Sequence, residues 1–193
     1  MIDSLVRLLP AARAGGCLER LGLSTHDYVL VTLHRPALVD DPARLGDVLD
    51  ILAEVGRDHR VVFPAHPRTR ARLAESGRLE DSTITFLDPL DYLDFIALED
   101  GARLVVTDSG GVQEETSALG TPCITYRDST ERSITAELGT NVLVGVDPQA
   151  LARACGALLS RSPARDVPRI PLWDGKAGPR AARAIVDFLD ARG

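Results

Sequence analysis

The feature that most constrains the fold is the alternation of short apolar runs with helix-like segments along the chain. The run at residues 28–33 (YVLVTL) is rich in β-branched side chains and shows little polar alternation, as in a strand buried on both faces. Further strands are predicted at residues 60–65, 83–87, 103–107, 122–126 and 142–146. Because helical segments and short connections separate these strands, the pattern predicts βαβ crossovers in a mostly parallel sheet with helices on both faces.

The segments between the runs have the features of helices. Asp41 and Pro42 begin one of them, since proline suits the first turn of a helix, and an apolar stripe follows. Residues 2–9 predict a helix that Pro10 interrupts, and a second short helix is expected at residues 11–21. Residues between 126 and 142 are expected to be irregular. The remaining helices are predicted at residues 67–76, 90–98, 111–119, 148–159 and 177–191.

Length and composition predict one globular domain over residues 1–193. With 193 residues, 45% hydrophobic and 26% charged, the chain is long enough for one well-filled core. The net charge is −6, from 22 basic and 28 acidic side chains, which argues against a general nucleic-acid-binding surface.

Cysteine use and the absence of long apolar runs bear on location. Cys17, Cys123 and Cys155 are widely and irregularly spaced, so they predict reduced thiols in a cytoplasmic protein rather than disulfides or a zinc site. The first residues lack the basic region of a signal peptide, and no run is long enough to cross a bilayer. We expect no membrane association, no metal and no cofactor.

Polar residues cluster where the predicted strands end. His34 and Arg35 follow the first strand, His66 the second, residues 108–111 the fourth and residues 127–132 the fifth. Ligands of an open parallel sheet bind beyond the carboxyl ends of its strands, so these residues are expected to share one rim. Together they predict an anion-binding crevice in an acidic protein.

The turn Ser109-Gly110-Gly111 carries the sharpest signal. Two glycines permit positive φ angles and close approach of a ligand, and the following helix start suits a phosphate. The alternative is a tight turn in which Ser109 merely caps the helix. Neither the dinucleotide fingerprint nor a P-loop is present.

Two adjacent acids, Glu114 and Glu115, follow in the same helix. Acids in a first turn are stabilised by the helix dipole, which is the plain structural explanation. Neighbouring side chains point about 100° apart on a helix, so the two cannot have the same role. One of them can turn to the crevice and accept hydrogen bonds from paired hydroxyls.

The order of these motifs resembles the non-hydrolysing UDP-N-acetylglucosamine 2-epimerases. The resemblance covers nearly the whole chain, but it corresponds to the C-terminal, Rossmann-like half of an enzyme with the two-domain GT-B fold. The N-terminal half is absent. The matching runs are TLHRP at 32–36, PAHP at 64–67, TDSGGVQEE at 107–115, LGTP at 119–122, RDSTER at 127–132 and GTN at 139–141.

The resemblance implies roles for the residues of the rim. Ser109, Gly110 and Gly111 match residues that hold the UDP diphosphate, Glu115 matches the carboxylate that binds the ribose hydroxyls, and Arg132 matches an arginine near phosphates and sugar.

The resemblance also implies residues for catalysis, for contact with the uracil base and for an allosteric ligand. His34 matches a catalytic histidine and Phe95 an aromatic residue near the uracil, while Arg35 and His66 match residues of an allosteric UDP-sugar site in some bacterial members. The usual sequence HRREN is HRPAL here, so three polar side chains of that motif are replaced by apolar ones. Leu90 replaces a common glutamine near the base.

The implied reaction interconverts UDP-GlcNAc and UDP-ManNAc by elimination and re-addition of UDP. Its proton-transfer carboxylates belong to the missing N-terminal domain, and the full-length enzyme is expected to be a homodimer. We expect the helix at residues 177–191 to expose apolar surface that this domain would cover. Two alternatives stay open: the nucleotide-binding domain of a GT-B glycosyltransferase, and an inactive UDP-sugar-binding fragment.

Overall fold

A computed structural model describes residues 1–162 and 166–192. Its strands form one sheet of six parallel strands. The order across the sheet is β3-β2-β1-β4-β5-β6. In this doubly wound order the chain changes direction between β1 and β4, which is where such sheets bind ligands. The strands are β1 (Tyr28–Thr32), β2 (Arg60–Pro64), β3 (Ile84–Leu87), β4 (Leu104–Thr107), β5 (Cys123–Thr125) and β6 (Asn141–Leu143).

The helices largely follow the predicted pattern. Asp41 caps the helix that begins at Pro42, because its carboxylate accepts hydrogen bonds from the backbone amides of Ala43 (3.1 Å) and Arg44 (3.2 Å). The helices of the described residues are α1 (Ile2–Ala14), α2 (Cys17–Arg20), α3 (Pro36–Val39), α4 (Pro42–Val55), α5 (Pro67–Glu75), α6 (Tyr92–Gly101), α7 (Gly110–Leu119), α8 (Ser133–Glu137), α9 (Pro148–Leu159) and α10 (Ala177–Asp190).

Two predictions about the helices are wrong, one on where a helix ends and one on a stretch expected to be irregular. Helix α1 continues through Pro10 instead of ending there. Pro10 lies on the exposed side of α1 while Leu5 and Ala12 pack into the core, so packing outweighs the one hydrogen bond lost. The stretch expected to be irregular contains α8, whose Thr135 is buried.

Each face of the sheet has its own core, as the strand pattern predicts. From β1, Val29 and Val31 join a cluster packed against α4 and α9, whereas Tyr28 and Leu30 join a cluster packed against α1, α6 and α7. Strand β1 is therefore buried on both faces.

Helix α10 contributes no buried residue. Its apolar side chains Ile185, Val186, Phe188 and Leu189 are 54–61% exposed, which confirms the expected apolar surface. Among the described residues, no helix is both long and apolar enough to cross a membrane.

Candidate functional site at the carboxyl edge of the sheet

The ends of β1 and β4 are joined by the buried carboxylate of Asp108. Thr32 and Thr107 are register partners, so the residues that follow them emerge side by side. Asp108 is 1% exposed and accepts hydrogen bonds from the backbone amides of His34 (3.0 Å) and Arg35 (2.8 Å). The Arg35 Nε donates in return to the Asp108 carbonyl oxygen at 2.8 Å. These bonds fix both residues at the switch point of the sheet.

The same carboxylate orients the His34 ring. The Nδ1 of His34 lies 3.1 Å from Asp108 Oδ1. This hydrogen bond, aided by the charge of Asp108, raises the pKa of His34, although partial burial and the Arg35 charge oppose the change. Asp108 therefore favours the imidazolium form of His34 and holds its Nδ1 proton.

His66 also reaches this edge, and the structure shows what it does there. Its ring centroid is 6.3 Å from that of His34. Its Nδ1 accepts a hydrogen bond from the Arg68 backbone amide at 3.2 Å, so His66 caps helix α5.

The start of α7 has no side-chain cap. Ser109 occupies the cap position, but its side chain accepts no hydrogen bond from the first turn. The alternative in which Ser109 caps the helix is therefore wrong. Neither Gly110 nor Gly111 adopts the positive φ that glycine permits. Among the described residues, the amides of this first turn have no side-chain acceptor, so they remain available at the positive end of the helix dipole.

The side chains of Glu131 and Met1 lie beside the two glycines. A Cβ atom at Gly110 would stand 3.4 Å from Glu131 Oε1, an ordinary contact distance. A Cβ atom at Gly111 would meet the Sδ of Met1 at 3.2 Å, which is tight. The Glu131 carboxylate beside Gly110 is thus an anion next to the uncapped helix start.

Two arginines of the loop at residues 127–132, and Arg35 just after β1, lie along this rim. Arg132 Nε lies 2.8 Å from Glu114 Oε1, and Arg127 donates to Glu131 at 3.0 Å. Arg35 Nη2 is 4.0 Å from the other oxygen of Glu131. The rim therefore carries three guanidinium groups, each beside a carboxylate.

Gln113 fixes the loop to helix α7. Its side chain is completely buried and accepts hydrogen bonds from the Thr130 hydroxyl (2.6 Å) and Asn141 Nδ2 (3.3 Å). Its Nε2 donates to the Ser109 carbonyl oxygen at 3.0 Å. The position of the loop relative to the helix start is consequently set by a buried network rather than by surface contacts.

Glu115 turns the opposite way from Glu114, towards helix α6. It is 5% exposed and accepts a hydrogen bond from the Tyr92 hydroxyl at 2.5 Å. Burial raises the pKa of Glu115, and the Tyr92 hydrogen bond opposes that rise. Phe95 lies one turn after Tyr92 on α6, half-buried against the core. The two adjacent acids thus have different partners, as their helical spacing predicts.

A small cavity opens beside Asp108. Its volume is about 210 Å³, and Arg35, Arg127, Asp128 and Ser129 contribute to its lining. Ligand pockets usually enclose about 300–1,000 Å³, so this cavity is smaller than a typical ligand pocket. Across residues 1–162 and 166–192, no group of three or more His, Cys, Asp or Glu side chains could hold a metal ion.

The structure brings the predicted polar residues to one end of the sheet and gives three residues orienting contacts that the sequence analysis did not predict. Asp108, Gln113 and Tyr92 orient the neighbouring residues through the hydrogen bonds described above. An aspartate directly after the run at residues 104–107 (LVVT) was the signal that placed Asp108 on the predicted rim. Tyr92 and Gln113 gave no distinct signal, because their partners come from distant parts of the chain.

The fold and the site together define a domain of the type that forms the C-terminal half of a GT-B enzyme. Its helix α7 begins without a side-chain cap at the switch point of a doubly wound sheet. The family model of UDP-N-acetylglucosamine 2-epimerase matches residues 1–186, so the chain belongs to that family. Family membership favours the epimerase interpretation over the glycosyltransferase alternative.

Relatives and solved structures agree with this assignment. The UDP-N-acetylglucosamine 2-epimerase of Methanocaldococcus jannaschii is 40% identical over 82% of this chain and 44% of its own length. The UDP-2,3-diacetamido-2,3-dideoxy-D-glucuronate 2-epimerase of Pseudomonas aeruginosa is 39% identical over 74% of this chain and 40% of its own. The crystal structure of the M. jannaschii enzyme with UDP-GlcNAc and UDP matches with a TM-score of 0.81 and 35% identity, covering 96% of this chain and 52% of that one. The chain thus spans about half the length of its relatives.

Proposed function

We propose that residues 1–193 form the UDP-binding domain of an enzyme that interconverts UDP-GlcNAc and UDP-ManNAc by elimination and re-addition of UDP. The observation that carries the proposal is the uncapped start of α7 at the switch point of the sheet. A diphosphate there would receive hydrogen bonds from free backbone amides and the favourable end of the helix dipole.

The diphosphate is assigned to Ser109, Gly110 and Gly111, with Arg132 nearby through its contact with Glu114. Glu131 now lies beside Gly110, so an arriving diphosphate would displace a like charge. Arg127, which already binds Glu131 at 3.0 Å, can keep that carboxylate after it moves aside.

The nucleoside is assigned to the adjoining α6–α7 side. Glu115 would accept the ribose hydroxyls, since Tyr92 already holds one of its oxygens at 2.5 Å. Phe95, on the same face of α6 as Tyr92, would pack near the uracil. Arg35 and His66 are assigned to further contacts with a sugar nucleotide, and His66 would use its Nε2 because its Nδ1 already caps α5.

His34 is assigned to the chemical step. Departure of UDP from the sugar places negative charge on the diphosphate, and a cation at that point stabilises the charge as it develops. Asp108 supports this role because it raises the pKa of His34 and so favours the imidazolium near neutral pH.

We assign the sugar and the second wall of the cleft to the N-terminal half that the resemblance implies. The two relatives at 40% and 39% identity carry names with different sugars, so UDP is the part of the substrate that they share. The proton-transfer carboxylates and the homodimer stay predictions for the full-length enzyme. The three buried free cysteines fit a reducing compartment such as the cytoplasm.

A glycine substitution tests the phosphate site. In Gly110→Val the new Cβ atom stands at an ordinary distance, 3.4 Å, from Glu131 Oε1, and the two methyl groups add bulk beside the helix start. We expect UDP binding measured by calorimetry to weaken at least about tenfold, or about 1.4 kcal/mol. Gly156→Val is the control, because a Cβ atom there meets nothing within 4 Å and α9 lies away from the site. Equal affinity for Gly110→Val and the parent would place the phosphates elsewhere.

An NMR assay tests whether this chain catalyses the epimerisation by itself. The purified chain, incubated with UDP-GlcNAc, is expected to yield no UDP-ManNAc, because nothing assigned here removes the proton at C2. Product formed faster than in buffer would show that this half carries its own acid and base.

A further inference from the structure

Glu99 is the most unusual side chain outside the proposed ligand contacts. Helix α6 buries it completely, at 0% exposure, and neither carboxyl oxygen has a hydrogen-bond partner among the described residues. An unpaired carboxylate is costly in a protein interior, so such a group is either neutral or held by an interaction that needs it. An apolar residue would fill the same space without that cost. Packing therefore does not explain a glutamate here.

The geometry of α6 directs Glu99 to the proposed ribose site. Glu99 follows Tyr92 by seven residues, or about two helical turns, so both lie on the same face of the helix. That face meets Glu115 of α7, which accepts the Tyr92 hydroxyl at 2.5 Å. The carboxyls of Glu99 and Glu115 lie close enough to perturb each other, without the geometry of a completed hydrogen bond. Glu115 thus interacts with both residues.

The surroundings indicate which acid holds a proton. Burial raises the pKa of Glu99 well above its ordinary value, and the charge of Glu115 raises it further. Burial raises the pKa of Glu115 as well, but the Tyr92 hydrogen bond opposes that rise. Glu115 is therefore the first of the pair to ionise, and Glu99 is the one that keeps its proton.

The other ionisable groups facing this pair do not change that order. Glu114, on the same helix, adds a like charge to Glu115. Cys123 of β5 stays neutral, because burial raises the pKa of its thiol to about 12. Tyr92 stays neutral too, since burial and the Glu115 hydrogen bond raise the pKa of its hydroxyl.

We propose that Glu99 is a positioning residue for the nucleotide ribose: its protonated carboxyl donates to Glu115 and, with Tyr92, holds that carboxylate towards the two ribose hydroxyls. A carboxylate offers about four acceptor positions. Tyr92 and Glu99 occupy two of them, which leaves two for a vicinal diol. The ligand class that fits is a ribonucleotide with both hydroxyls intact, and this inference rests on the proposed UDP site.

Paired nucleotides and paired variants test the proposal. Calorimetry would compare UDP with 2′-deoxy-UDP for the parent, Glu99→Gln and Glu99→Leu. A hydrogen bond to a charged group is worth enough for the parent to prefer UDP by about tenfold or more. Glutamine can donate through its amide, so Glu99→Gln is expected to keep that preference within about twofold. Leucine cannot donate, so Glu99→Leu is expected to lose most of the preference while its melting temperature does not fall.

The pH profile separates positioning from packing. As pH rises and Glu99 loses its proton, two adjacent carboxylates repel, so the parent's preference for UDP is expected to decline. The preference of Glu99→Gln is expected to stay level over the same range, because its amide does not titrate.

Carbon-13 NMR of the glutamate carboxyls tests the proton directly, whether or not nucleotide binds. A Glu99 carboxyl that titrates near the ordinary value of about 4.3 would overturn the proposal. So would an unchanged preference for UDP in Glu99→Leu, which would leave the UDP site itself intact. A parent chain that binds neither nucleotide would refute the proposed function and the ribose role together.

Discussion

Replacing Asp108 with asparagine is expected to lower the pKa of His34 and destabilise the carboxyl edge of the sheet. The carboxylate receives the backbone amides of His34 and Arg35 and the Nδ1 proton of the His34 ring. Asparagine has nearly the same shape but one acceptor oxygen and one donor group. If its oxygen keeps the two amides, its NH₂ faces Nδ1 and favours the neutral ring as an acceptor.

The size of the loss follows from these bonds. Hydrogen bonds to a charged partner contribute about 1.5–3 kcal/mol, and those between neutral groups about 0.5–1.5 kcal/mol. Two backbone amides that lose a charged acceptor therefore cost about 2 kcal/mol in the free energy of unfolding. The hydrogen bond between the His34 ring and Asp108 adds little to this free energy, because the His34 side chain is 42% exposed and solvent screens the interaction.

The sign of the pH dependence is fixed by the direction of the shift. Because the folded pKa of His34 is raised above its unfolded value, its contribution to stability is full below the unfolded pKa, near 6.5. That contribution is lost as pH rises through the folded value. The stability difference between parent and Asp108→Asn is therefore expected to shrink from mildly acidic to alkaline pH.

Two measurements check this prediction. Urea denaturation gives the free energy of unfolding, and NMR titration of the imidazole gives the pKa of His34. Asp128→Asn makes the same charge change at an exposed position on the same rim and serves as the control. An unchanged His34 pKa in Asp108→Asn, or an equal effect of the control, would refute the reasoning.

Two further predictions concern packing. Gly139→Ala is expected to destabilise the fold by about 2 kcal/mol, because its Cβ would collide with the Ser117 hydroxyl and the Thr135 carbonyl oxygen. Thermal unfolding checks this against Gly156→Ala, whose added methyl meets nothing within 4 Å, and equal melting temperatures would contradict it. The exposed apolar face of α10 is expected to cause concentration-dependent self-association, which Phe188→Asp reduces. Sedimentation velocity checks this, and a monomeric parent at every concentration would contradict it.

The sequence predicted the sheet well because burial on both faces leaves a strong pattern. The run at residues 28–33 contributes Val29 and Val31 to one core and Tyr28 and Leu30 to the other, which demands apolar residues at every position. The common rim followed from topology, because parallel strands end at the same edge. Side-chain detail at that edge was not needed to predict it.

What the sequence did not predict depends on contacts between distant segments. Pro10 resembles a helix breaker until packing of Leu5 and Ala12 is known. The burial of Glu99 is not evident from the sequence, because a glutamate in a helix is ordinarily solvated, and here α6 packs against α7. Local patterns carry no record of such tertiary effects.

The charge arrangement at the rim bears on how tightly this half can bind UDP. Arg132 is already paired with Glu114, and Arg35 and Arg127 lie beside Glu131. A diphosphate must therefore displace these carboxylates from the arginines, and the loss of those ion pairs offsets much of its own attraction to the arginines. Because the cavity is about 210 Å³, part of the ligand also stays in water. We therefore expect weak binding of UDP by this chain alone, and tighter binding once a second domain encloses the diphosphate and strengthens each charge interaction by excluding solvent.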